Sequence, residues 1–126
     1  MIEVNNLTRT FKKTELLKKT AKRVIKGEKC DNCNLSIVVV GEKRMKAINR
    51  KYRKKNKPTD VLSFSMDDDF SNRSRDLGEV VICPKQIKGK KGLERTIIHG
   101  ILHLLSYDHK KKDDENKMVE RENFYL

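Results

Sequence analysis

The stretch from Gly92 to about Leu105 can lie in few places other than the centre of a fold. It carries Leu93, Ile97, Ile98, Ile101, Leu102, Leu104 and Leu105. At 3.6 residues per turn these positions run nearly all the way round, so a helix here has to be covered on most sides. The cover must come from a chain that is 38% charged and 36% hydrophobic, more charged and less apolar than most globular sequences. It can still do so because the remaining apolar residues are bunched into blocks.

Those blocks predict the other elements. Met1–Asn6 reads as a short strand. Leu17, Ala21, Val24 and Ile25 recur at helical spacing, with Thr14 placed to start the helix and Gly27 to end it. Leu35–Val40 is apolar and β-branched, as a buried strand is. Glu42 to about Arg53 reads as a second helix with Met45, Ile48 and Tyr52 as its apolar stripe, broken by Pro58. Val61–Met66 alternates at its centre like a strand, Asp67–Asp76 reads as a solvated loop, and Leu77–Cys83 as the next strand, able to pair with Val61–Met66. After the Gly92–Leu105 helix, Asp113-Asp114 is placed to cap a last one, with Met118, Glu122 and Tyr125 on one face. The predicted order is β-α-β-α-β-β-α-α. The expected fold is α+β (α/β-like): one mixed sheet of about four strands, a central histidine-bearing helix, and helices around it. Residues 1–126 form one expected domain.

Thirty Lys+Arg face eighteen Asp+Glu, a formal net charge of +12. That balance favours nucleic acid, where each cation placed on a phosphate releases a counterion. No block approaches the roughly 20 apolar residues of a membrane span, and residues 1–6 have neither the basic start nor the apolar core of a signal peptide. The expected location is cytoplasmic. Three cysteines, Cys30, Cys33 and Cys83, argue against a disulfide framework. The expectation is reduced cysteines, with a redox pair at Cys30-Asp-Asn-Cys33 as the alternative.

The only three histidines fall in one stretch, His99-Gly-Ile-Leu-His103-Leu-Leu-Ser-Tyr-Asp-His109. Neutral imidazole is a common zinc ligand, and three suffice for a catalytic site that keeps a fourth position open. His99 and His103, four apart, share a helix face. His109 can return over that face if the chain turns after Leu105. The same offsets occur in H-E-x-x-H-x-x-G-x-x-H zinc peptidases, where Glu after the first His is the general base. Here that position is Gly100. A glycine inside a helix costs about 1 kcal/mol relative to alanine, which points to close approach by substrate or a neighbouring element.

The histidine stretch resembles the signature of the YbeY family, H-G-x-L-H-L-x-G-Y-D-H, with Ser106 in place of its second glycine. Asn49-Arg50-Lys51-Tyr52-Arg53 resembles the family's Asn-x-x-Tyr-Arg, Pro58–Phe64 its Pro-Thr-Asp-Val-Leu-Ser-Phe, and Leu77-Gly78-Glu79-Val80 its Leu-Gly-Asp-Ile strand. Met118 and Glu122 fit its closing helix. The likeness spans about residues 45–126.

The resemblance implies a zinc-dependent single-strand endoribonuclease. It further implies work in ribosomal-RNA maturation, at the 3′ end of the small-subunit RNA, and in ribosome quality control. One Zn²⁺ per chain would be held by His99, His103 and His109. Arg53 matches the family's functional arginine and would hold a phosphate. Arg50, Lys54, Lys55 and Lys57 would track the RNA backbone. Glu79 is the candidate general base, with a structural ion pair as its alternative. Asp60 and Asp108 would accept a hydrogen bond from a ligand imidazole, with capping of the turn before His109 as the alternative for Asp108. The implied partners are ribosomal RNA, the small ribosomal subunit and ribosome-associated proteins, with no membrane and no DNA. Two other readings stay open: a zinc peptidase-like hydrolase, and a non-catalytic ribosome-associated RNA-binding factor. In the second of these the metal would be structural and need a fourth protein ligand.

Overall fold

A computed structural model describes residues 1–30, 32–65, 76–105 and 112–126, with side chains of the last segment from Asn116 onward. The elements are β1 (Ile2–Asn6), α1 (Thr14–Gly27), β2 (Asn34–Val39), α2 (Glu42–Arg53), β3 (Val61–Ser65), β4 (Asp76–Ile82), a 3₁₀ turn (Pro84–Gln86), α3 (Gly89–Leu104) and α4 (Lys112–Tyr125). This is the expected order, and the fold is α+β. The four strands form one mixed sheet in the order β1-β2-β4-β3. β1, β2 and β4 run parallel, and β3 is an antiparallel edge strand with Leu62 opposite Val81.

Strand alternation sorts the side chains onto two faces. Leu35, Ile37, Val39, Val80 and Ile82 point to the face covered by α1 and α3, and they pack with Leu17, Val24, Ile97, Ile98, Ile101 and Leu102. Val40, Val81, Leu62 and Cys83 point to the other face and meet Met45 of α2. The apolar helix is central as its composition demands: Ile97, Ile98, Ile101 and Leu102 are all fully buried. It begins at Gly89, a turn before the expected Gly92.

Three local expectations are corrected. α2 ends at Arg53 as expected, but what breaks it is a left-handed Lys54 (φ 58°), four residues before Pro58. Within α2, Tyr52 is not part of the buried stripe: it is 59% exposed and meets Phe64 edge-on at 5.0 Å. Cys30 and Cys33 are joined as a disulfide across the turn after α1, with Cα atoms 5.3 Å apart. Cys83 is free and buried, and burial pushes its thiol pKa up. Asp67–Asp69, Ser106, Asp108 and His109 lie outside the described residues, as do the side chains of Asp113 and Asp114.

Candidate active site

Gly100 fixes where the histidines stand. A Cβ there would lie 2.9 Å from Val80 Cγ1 and 3.1 Å from Val61 Cγ2, so glycine lets α3 settle directly on β3 and β4. Ser63 Oγ donates to the Gly100 carbonyl at 2.9 Å and ties the helix to the edge strand. The close approach comes from a neighbouring element. His99 and His103, on the adjoining face of α3, are thereby carried to the open edge of the sheet.

A cleft of about 540 Å³ lies between that edge and α3, and Arg53, Thr59, Asp60, His99 and His103 all line it. The two imidazoles meet edge to face, 4.6 Å between centroids, with Nε2 atoms 3.1 Å apart. Two nitrogens on one tetrahedral zinc, each at about 2.0–2.1 Å, stand about 3.3 Å apart. The pair is thus spaced to grip one cation, and His99 Nδ1 is bonded on its other side to Glu122 Oε1. In a neutral imidazole, a proton on Nδ1 facing that carboxylate leaves the Nε2 lone pair for a metal. The donor set fits a divalent metal. Among the described residues no group of three His, Cys, Asp or Glu side chains is gathered round an ion position, and His109 lies outside them.

The remaining expected residues divide sharply. Arg53 joins the histidines in the cleft. Arg50, Lys54, Lys55 and Lys57 are exposed at the end of α2 and in the turn after it. That turn is held by buried Asn49, whose Nδ2 donates to the Lys57 carbonyl at 2.8 Å. Asp60 lines the cleft but accepts from the Thr59 hydroxyl at 3.3 Å. Among the described residues the carboxylate on a histidine is Glu122, whose sequence signals were a charge on the apolar face of the last helix and its fit to the family's closing helix.

Glu79 is not brought to the site. It pairs opposite Phe64 and beside Ser36, and it lines a groove with Glu3, Ser36 and Asp76. The reason is the two-residue strand period: Val80 packs under α3, so Glu79 points to the opposite face of the sheet. A general base there cannot serve a reaction at the histidines.

Comparison with known proteins sharpens this picture. A family model described as Endoribonuclease YbeY matches residues 2–126. A Buchnera aphidicola protein named Endoribonuclease YbeY is 41% identical over 126 residues, covering 92% of this chain and 78% of its own. An Aquifex aeolicus protein of the same name is 39% identical over 106 residues, covering 76% and 70% respectively. The fold is also similar to a solution structure of a Thermotoga maritima protein, with a TM-score of 0.67 and 28% identity over 99% of this chain and 86% of the other.

Proposed function

The chain belongs to the YbeY family, and from that premise we propose that it is an endoribonuclease that cuts single-stranded RNA with one zinc ion in the His99–His103 cleft. We propose further that it works in the cytoplasm on ribosomal RNA, at the 3′ end of the small-subunit RNA and in ribosome quality control. Its partners would then be the small subunit and ribosome-associated proteins.

One observation carries the reading: two imidazole Nε2 atoms converge at 3.1 Å in a cleft that an arginine also lines. His99 and His103 would hold the ion, with His109 as the third ligand. When bound, zinc lowers the pKa of its water and polarises a phosphate oxygen. Arg53 presents a permanently charged fork that fits two phosphate oxygens and offsets charge gathering on them during cleavage. Arg50, Lys54, Lys55 and Lys57 bring further charge to the same end of the sheet, where it would hold the RNA backbone.

Position 100 argues against peptidase chemistry. Zinc peptidases carry their base there, but in this fold that Cβ direction leads into Val80 and Val61. A side chain at 100 would meet these packed residues first.

The test compares wild type, His103→Ala and Arg53→Ala for bound zinc and for cleavage of single-stranded RNA and casein. We expect RNA cleavage by wild type, loss of zinc with His103, and a fall in rate of roughly 100-fold or more with Arg53 at unchanged zinc content. RNA cleavage at wild-type rates in both variants would overturn the reading. Casein cleavage that depends on His103 would favour the peptidase.

A further inference from the structure

Glu122 is a buried carboxylate that the chemistry above does not use. It is 6% exposed, on the same face of α4 as buried Met118 and Tyr125. A carboxylate in such surroundings is costly unless it is paired. Its partner is Nδ1 of His99, 23 residues away in sequence. The helix beneath it is pinned. Arg121 pairs with Glu28, Tyr125 Oη donates to Glu28 at 2.5 Å, and Arg23 donates to the Tyr125 carbonyl at 2.6 Å. The carboxylate is therefore held against the ring from a fixed direction.

The consequence falls on the other ring nitrogen. A proton kept on Nδ1 leaves Nε2 with its lone pair, and the same hydrogen bond sets the plane of the imidazole. From this geometry we propose that Glu122 is a positioning residue. It holds His99 in the tautomer and orientation that present Nε2, beside Nε2 of His103, to a divalent cation. The proposal rests on the metal reading above. A merely structural Glu122 would tie α4 to α3 and leave both tautomer and metal affinity unmoved by its loss.

The experiment needs no RNA. Histidine ¹⁵N resonances of the metal-free wild type, Glu122→Gln and Glu122→Ala report the tautomer. Competition with a chromophoric chelator reports zinc affinity, and circular dichroism reports folding. We expect wild-type His99 to be protonated on Nδ1. Glu122→Ala should weaken zinc about 10–100-fold and release the tautomer. Glu122→Gln, which keeps an acceptor oxygen, should retain the tautomer and lose less affinity than alanine. A wild-type His99 protonated on Nε2 overturns the proposal, and this holds even if Glu122→Ala does not fold. So does a folded Glu122→Ala that binds zinc as wild type does. A wild type that takes up no zinc overturns the metal reading itself, whereas zinc uptake indifferent to Glu122 overturns only the positioning role.

Discussion

At the scale of one residue, Gly100 sets the height of α3 above the sheet. Alanine is the better helix former by about 1 kcal/mol, so propensity alone predicts that Gly100→Ala stabilises. Packing predicts the reverse. The added methyl would sit 2.9 Å from Val80 Cγ1 and 3.3 Å from Ser63 Oγ, and Val80 is fully buried. Overpacking of this kind costs about 1–3 kcal/mol. We expect a net loss of about 1 kcal/mol and a Tm lower by about 3–5 °C. Adding Val80→Ala should recover part of it, a favourable coupling that a double-mutant cycle measures. A Gly100→Ala protein more stable than wild type would show that the helix is free to lift. The glycine itself was legible in sequence as a sign of close approach. Which neighbour approaches was not, because Ser63 and Val61 lie nearly forty residues upstream and meet α3 only through the edge position of β3.

At the scale of elements, the C-terminal helix is stapled to α1 by groups from both. Glu28 receives Arg121 and the Tyr125 hydroxyl, and the Tyr125 ring occupies the space a side chain at Gly27 would take. The guanidinium of Arg121 is held charged by Glu28, its pKa raised by that hydrogen bond. Tyr125 is pushed up to about 12 from 10.0, first by burial and then by its bond to Glu28. The fold thus favours the neutral phenol. Its contribution, roughly 2–3 kcal/mol for such a shift, is whole below about pH 10 and is lost as pH rises towards 12. Denaturant titrations of wild type and Tyr125→Phe from about pH 9 to 11.5 should show wild type ahead at first and its lead shrinking with pH. A constant difference would mean that the phenol does not lose its proton against the fold. Element order was readable because β-branched runs and helical spacings are local signals. The end of α2 near Arg53 was readable too, but its cause was not, since a left-handed Lys54 has no composition cue. The start of α3 was not readable, because Lys90 and Lys91 add nothing to an apolar period. The face of Glu79 depended on which side of the sheet α3 covers, and no single strand reveals that.

At the scale of the whole molecule, charge is where the chain departs most from an ordinary domain, with a formal net charge of +12. Exposed cations stand beside both outer strands of the sheet order β1-β2-β4-β3. α1 packs by β1 with Lys19 and Lys22 exposed, while Arg50, Lys54, Lys55 and Lys57 are exposed near the β3 edge, where the cleft opens. Total charge was legible in sequence, but which cations stand beside the cleft needed the strand order. That placement makes a distinction that affinity alone would miss. If Arg50, Arg53, Lys54, Lys55 and Lys57 each meet a phosphate, log K for single-stranded RNA should fall with log salt at a slope of about −3.5. Affinity would then drop about 100-fold between roughly 50 and 200 mM salt. Lys55→Ala should reduce the slope by about 0.7, and Lys19→Ala or Lys22→Ala should leave it unchanged. Binding isotherms at four salt concentrations, on RNA that stays uncut during the measurement, suffice to measure it. Equal losses of slope from both ends of the sheet would mean that RNA meets a diffuse positive field, and the track beside the cleft would then have no special part in holding it.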